Sequence, residues 1–420
     1  MTIDADYANQ RRAYTRSRGE CRLNPGLASV FLLTVLAAVG QFASNIYTPS
    51  LPFMAIDLGI SADAAQSSFA VFLLAFAATQ LVYGPLADRF GRRPVLFAGL
   101  GLFMIGTAAC AVADSLSILL IARATQAAGA AGALIISRAA TRDSFEGVTL
   151  QKTIAAVTIA FALVPGLTPL LGGLTQELAG WRAAFWLTLA VGGLIAVLAF
   201  IKLPETLRGQ PAELSVSAAL RGYAAVAGDR IAMTYALAAG LVFGAMSAFF
   251  AASPTLFIDH LGVGAVEYGL YPPIAVTGFI IGGIITRHLA GKVPAIRIAA
   301  TGLTIMAVAL SLMLAFPAAG EVHKHIFNAT MVMNVTGLGV FLPTAITQVL
   351  ARFPDRAGTT AAMQGFIQMS GGAMGAFAVS GLQAHLPLLA MPTVMLACVL
   401  LSASVFTLGL STARRAPIQA

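Results

Sequence analysis

The chain has 420 residues, 58% of them hydrophobic and only 10% charged, with a formal net charge of +8. A soluble globular protein carries about 25% charged residues, and a water-soluble fold of this length has too little interior to hide so much apolar surface. The composition therefore argues against a soluble enzyme or a nucleic-acid-binding domain and asks for a lipid bilayer as solvent.

The N-terminal residues Arg11, Arg12, Arg16, Arg18 and Arg22 precede an apolar run that begins at Leu27. Basic residues before an apolar run resemble a secretory signal, but this run continues to about Thr48 and many more follow, so it reads as an uncleaved first helix. A helix needs about 20 apolar residues to cross the hydrocarbon core. Twelve such runs follow one another: 27–48, 67–86, 94–113, 116–137, 153–174, 181–201, 231–252, 269–287, 298–316, 326–351, 359–382 and 387–409. The polar stretch 203–230 separates the sixth from the seventh. The expected organisation is a tail (1–26), a six-helix bundle (27–202), a central loop (203–230), a second six-helix bundle (231–409) and a closing tail (410–420).

Charge tests this count. With the N-terminus inside, all but three of the 25 Lys and Arg residues fall in the tails and loops of one face. Arg182 and Lys324 fall on the other face, and Arg123 lies inside the fourth span. A wrong helix count would mix the signs, so the positive-inside rule predicts twelve spans with both termini cytoplasmic.

The loop after the second span reads Gly84-Pro85-Leu86-Ala87-Asp88-Arg89-Phe90-Gly91-Arg92-Arg93-Pro94. Such a loop is a tight hairpin between helices. Gly84 is expected to allow close helix approach and Gly91 a positive-φ turn. Pro94 suits the first turn of the next helix. Asp88 can face a helix N-terminus, and the arginines can face anionic lipid heads. A weaker echo, with Gly283, Arg287, Gly291, Lys292 and Pro294, follows the eighth span.

The fourth span carries Arg123 and Gln126, then Arg138, Arg142 and Asp143 at its cytoplasmic end. A cation at membrane depth costs roughly 2.5–3.5 kcal/mol on insertion scales, so Arg123 is predicted to face a wet cavity with Gln126 on the same face. The fifth span contains Pro165, Gly166, Pro169, Gly172 and Gly173. Its prolines predict a kink and its glycines close packing. Trp181 is expected as an interfacial anchor at the start of the sixth span. Gln364 and Gln368 on the eleventh span share a face by their i, i+4 spacing and are expected to line a central cavity. Phe42, Tyr47, Phe69, Phe72 and Phe76 offer rings either to a ligand or to helix packing. Cys21, Cys110 and Cys398 make neither a disulfide framework nor a metal set. No metalloprotease, nucleotide-loop or hydrolase motif occurs, so neither an enzyme nor a cofactor is expected.

The eleven-residue hairpin, at this topological place, resembles the signature loop of the major facilitator superfamily, and its echo agrees with two six-helix halves arising as parallel repeats. The residues Asn45-Ile46-Tyr47-Thr48-Pro49-Ser50-Leu51-Pro52, the Arg138–Asp143 string, the paired prolines, Ser253-Pro254 and Leu203-Pro204-Glu205-Thr206-Leu207 are similar to the Bcr/CflA branch of twelve-helix drug:proton antiporters. The resemblance implies an all-α membrane protein of the major facilitator fold. It implies efflux of chloramphenicol- or bicyclomycin-type molecules in exchange for protons, by a monomer in a bacterial inner membrane with lipid and small-molecule partners only. It also implies that Gly84, Asp88, Arg89, Gly91, Arg92 and Arg93 set the balance of inward and outward states, and that Asn45, Tyr47, Arg123, Gln126, Gln364 and Gln368 serve substrate or coupling ion. The branch usually has an acid where Asn45 stands, and the other acids map to span ends and loops. An importer or facilitator of a vitamin-like or anionic metabolite is the alternative expectation.

Overall fold

The computed structural model describes residues 27–207, 216–320, 323–353 and 356–415. The N-terminal arginines, Cys21 and part of the central loop lie outside the described residues. Among those described, every regular element is helical. The long helices are α1 (Leu27–Asn45), α2 (Ala62–Phe90), α3 (Arg92–Ala111), α4 (Leu116–Ser144), α5 (Gly147–Ala179) and α6 (Trp181–Lys202). They continue with α7 (Arg230–Pro254), α8 (Ala265–Leu289), α9 (Ala295–Ala318), α10 (Lys324–Ala351), α11 (Ala357–Gln383) and α12 (Ala390–Arg415). Ten of these are long and apolar enough to cross a membrane, and α5, taken as one bent span, makes eleven. The remaining helix, α11, has 27 residues and dilutes its apolar stretch with Gln364, Gln368 and several glycines. A 13-residue helix, Val216–Gly228, lies between the two sets of six.

Packing repeats with a shift of six helices. In the first set α1 packs on α4 and α5, α4 on α2 and α3, and α3 on α6. In the second set α7 packs on α10 and α11, α10 on α8 and α9, and α9 on α12. The two large contacts between the sets, α2 with α11 and α5 with α8, exchange under the same shift. This is the arrangement expected of two parallel repeats about an axis along the membrane normal.

Two local features differ from expectation. The first helix ends at Asn45 rather than Thr48, because Pro49 and Pro52 cannot donate to a continuing ladder. The chain passes through a 3₁₀ turn (Thr48–Ser50) into a short helix, Leu51–Asp57. Helix α5 stays one element but bends by 41° between Gly147–Phe161 and Leu163–Ala179. The bend falls in the turn before Pro165, where the proline ring displaces the preceding turn.

The face carrying residues 88–94 is called here the basic face. At the opposite face the two sets lock together. Gln66 Nε2 donates to Thr255 Oγ1 at 3.2 Å, and Ser380 Oγ donates to the Asp63 carbonyl at 2.7 Å. The 3₁₀ turn also touches α7 and α8 there. On the other side of the midplane, α4 and α5 have at most slight contact with α10 and α11. The two halves are thus hydrogen-bonded at the opposite face, while toward the basic face α4 keeps a slight contact with α11, where Arg142 lies beside Gly358.

Candidate functional site

The hairpin forms as its sequence predicts at Gly91, whose φ of +94° is in the region that favours glycine. An added Cβ there would meet Glu205 Oε2 at 2.7 Å. Gly84 corrects the expectation of close packing: nothing lies within 4 Å of a Cβ built on it. Arg92 Nη1 donates to Asp88 at 2.5 Å and Arg92 Nε to Asp143 at 2.9 Å. This ties the α2 end, the α3 start and the α4 end together. Arg93 donates to the Phe200 carbonyl at 2.9 Å and lies over the Phe97 and Phe200 rings. Arg89 is exposed.

Glu205 holds this cluster from below. Its carboxylate accepts four backbone N–H groups: Arg92 and Arg93 at 2.9 and 3.0 Å, and Thr206 and Leu207 at 2.9 Å each. The first two are orphan donors of the α3 first turn, where negative charge is favourable. Burial alone would raise the Glu205 carboxyl, but the four donors outweigh it and hold its pKa below the ordinary value. Sequence reasoning saw Glu205 only as part of a closing motif. Its acceptor role depends on the α6 end folding back onto α3.

At membrane depth the structure builds a cage around Arg123. The side chain is 0% exposed. Its guanidinium lies 4.2 Å from the Tyr47 ring centroid and 4.3 Å from that of Phe72, with Phe185 at 5.9 Å. Nη1 donates to the Ala43 carbonyl at 3.2 Å and to Gln126 Oε1 at 2.5 Å. Gln126 passes the bond on to Thr107 at 2.9 Å, and the Tyr47 hydroxyl meets Ser68 at 3.0 Å. This corrects the wet-cavity reading: aromatic faces from α2, α6 and the α1 end replace water around the cation. Nε and Nη2 of Arg123 remain unpartnered. The cation is thus satisfied on one edge and bare on the other, with no carboxylate bonded to it among the described residues.

Asn45 sits beside this cage but turns into its own helix. Its Nδ2 donates to the Gln41 carbonyl and Ser44 Oγ, and its Oδ1 has no partner. Arg123 takes the carbonyl of Ala43 instead. The α5 motif packs as its glycines predict. A methyl on Gly172 would overlap the Ile46 carbonyl of α1's extension, one on Gly166 would overlap Val276 of α8, and one on Gly173 the Ala265 carbonyl. Pro165 and Pro169 flank that contact, and the Pro169 carbonyl abuts Gly269.

Gln364 and Gln368 are buried, and both polar atoms of Gln364 lack partners. Gln80 on α2 is also buried with both amide atoms unpartnered, and it presses on Gly365. The sequence reading missed Gln80 and Gln66, although both are polar groups in an apolar run and could have been found by that test. Trp181 corrects another expectation. Its ring is buried and its Nε1 donates to Asp57 at 3.0 Å, beside the Asp57–Arg182 ion pair. Arg138 is partly buried, with its guanidinium 5.8 Å from the Phe161 centroid, while Arg142 is exposed.

This architecture matches known transporters. The family model "Major Facilitator Superfamily" matches residues 30–376. "Multidrug resistance protein D" of Escherichia coli strain K12 is 28% identical, over 85% of this chain and 89% of that protein. "Bicyclomycin resistance protein homolog" of Haemophilus influenzae is 26% identical, over 82% of this chain and 87% of its own. A solved bacterial homologue of the human lysosomal transporter Spinster, inward-facing and unoccupied, superposes with a TM-score of 0.71 at 17% identity, covering 91% of this chain and 96% of that one. The fold, the hairpin cluster and these relatives lead to one assignment: the chain belongs to the Major Facilitator Superfamily of membrane transporters, which are not enzymes, and matches its Bcr/CflA-like drug-antiporter branch.

Proposed function

We propose that the chain is a secondary active exporter of small drug-like molecules, of bicyclomycin or chloramphenicol type, working by alternating access in a bacterial inner membrane. The basic face is cytoplasmic, as the positive-inside rule requires. Residues 27–202 and 231–409 rock as two bodies, and the protein works as a monomer. The observation that carries this reading is the asymmetry of the contacts between the halves. Hydrogen bonds at Gln66–Thr255 and Asp63–Ser380 fasten the opposite face, while toward the basic face α4 and α5 make at most slight contact with α10 and α11, with Arg142 of α4 beside Gly358 of α11. That is the form in which an exporter receives solute from the cytoplasm. Relatives named for multidrug and bicyclomycin resistance support the substrate class.

The Arg123 cage, Gln126, Tyr47 and Asn45 form the polar centre of the first body, and Gln364 and Gln368 that of the second. The hairpin Asp88–Arg93 sets how easily the bodies rock. Proton exchange, if drawn from the chain itself, uses Asp88 or Asp143, which share Arg92 at the basic face. A specific observation favours a second reading, that of a facilitator or importer without carboxylate coupling. Asn45 stands where the branch carries an acid, and among the described residues the Arg123 cation has no carboxylate on it. Expression in an efflux-deficient bacterium tests the exporter reading. It should raise the inhibitory concentration of a neutral drug several-fold, with Arg123→Met abolishing the gain at equal protein level. An unchanged drug sensitivity, with intracellular drug undiminished, would sink it.

A further inference from the structure

Arg138 and Arg142 stand four residues apart on α4, so their guanidinium groups emerge on one face of the helix. Like charges at this spacing repel. Arg138 lies within the helix, partly buried against the Phe161 ring of α5. Arg142 reaches across to the other half, where an added Cβ on Gly358 would meet its Nη1 at 2.9 Å. Gly358 lies in the first turn of α11, which has no side-chain cap. A cation against the start of a helix meets the positive end of the helix dipole, which is unfavourable by itself. Neither guanidinium has a hydrogen bond or ion pair among the described residues, whereas Asp143, the next residue, spends its carboxylate on Arg92. Arg92, Arg182 and Arg352 all have acidic partners.

A purely topological arginine sits exposed beyond the helix end. Arg138 sits well before the end of α4 at Ser144, partly buried against the Phe161 ring, with no anion paired to it among the described residues. The same stretch of α11 carries, two turns further in, the unpartnered Gln364 amide, followed by Gly365, against which the unpartnered Gln80 of α2 lies. Two arginines without an acidic partner among the described residues, the outer one exposed, are thus followed toward the midplane by two buried amides without hydrogen-bond partners.

We propose that Arg138 and Arg142 form an anion-binding site at the basic-face mouth, between α4, α5 and α11. It takes the carboxylate or phosphate group of an amphipathic organic anion, whose body is passed inward toward Gln80 and Gln364. Arginine's planar fork suits bidentate recognition of such groups. The direction of approach, from the cytoplasm, rests on the exporter reading; the site itself does not. An anionic phospholipid headgroup offers the same chemistry.

The test compares chloramphenicol with its hemisuccinate ester, one neutral and one anionic form of a single scaffold. Binding is measured on the full-length purified chain in phosphatidylcholine nanodiscs. Hemisuccinate should bind at least tenfold tighter than the parent drug, and Arg138→Gln with Arg142→Gln should abolish that preference. The double Lys variant should restore part of it, and added salt should weaken the anion alone. Melting temperature checks that each variant is folded. If folded Gln variants keep the preference, or the wild type has none and phosphatidylglycerol does not bind through these arginines either, the proposal is overturned. Arginine-dependent competition by 20% phosphatidylglycerol without hemisuccinate binding assigns the site to lipid. Transport of the neutral drug is scored separately. Its absence from the wild type would count against the exporter reading while the binding ratio still decides the site.

Discussion

Replacing Glu205 with alanine removes one carboxylate and leaves four backbone donors without their acceptor. Two of these cap α3, and loss of a helix cap costs about 0.5–2 kcal/mol. The other two bend the chain out of α6. Hydrogen bonds to charged groups contribute about 1.5–3 kcal/mol each when well buried, but Glu205 is only partly buried and water replaces part of what is lost. The net expectation is about 2 kcal/mol, or a fall in melting temperature of about 2–4 °C for a chain of this size. A thiol-reactive dye reads this in detergent on a Cys21→Ser background, because Cys110 is buried and Cys398 partly so. Glu205→Gln keeps an acceptor but not the charge and should lose about half as much. An alanine variant melting within about 1 °C of its parent would refute the reasoning, since that leaves at most a minimal cap and nothing for the two donors at the end of α6. The same carboxylate predicts a pH dependence. Its folded pKa is lowered, so its stabilisation is complete above the ordinary glutamate value and is lost as pH falls through the lowered one. Asp229, capping α7 and paired with Arg352, has a lowered pKa and adds to the same acid-side loss.

Arg123→Met should leave the melting temperature within a few degrees, because an apolar side chain of similar length replaces a costly buried cation. It should nevertheless abolish drug resistance, and Arg123→Lys should recover only part, lacking the plane that Tyr47 and Phe72 enclose. Full transport by the Met variant would remove Arg123 from the mechanism. Gly172→Ala drives a methyl into the Ile46 carbonyl and should cost about 1–3 kcal/mol, seen as lost yield and a lower melting temperature. Gly84→Ala meets nothing and should fold normally; equal damage from both would contradict the packing described. Gln66→Leu with Ser380→Ala removes two cross-half bonds, about 1 kcal/mol each, shifting the state ratio roughly thirtyfold toward opening of the opposite face. Faster labelling of a cysteine placed at Asn45 by a membrane-impermeant reagent from that side would report the shift, and an unchanged rate would deny it.

The spans were legible because hydropathy and the asymmetry of Lys and Arg act independently and agree. The hairpin was legible because Gly91 must take a positive φ and the arginines must leave the hydrocarbon. The surroundings of Arg123 were not. A buried cation in one helix announces that something must solvate it, but nothing in the α4 sequence says whether that is water or rings from α2, α6 and the end of α1. Tyr47 and Phe72 were noted only as possible ligand platforms, and only tertiary packing turns them onto the cation. Gly84 was over-read, since a glycine in a motif marks tolerated closeness in some state and not contact in each. Glu205 was under-read, because a carboxylate after a helix looks like a solvated loop residue until the first turn of α3 is seen to lie over it.

The most direct measurement of the central claim is transport of chloramphenicol by the purified chain in proteoliposomes, without ATP and with the lumen made acidic. Accumulation above the external concentration, collapsing when the pH gradient is dissipated, is the result the account predicts. Solute that merely equilibrates, at a rate indifferent to the gradient, would contradict proton-driven export and leave a facilitator in its place.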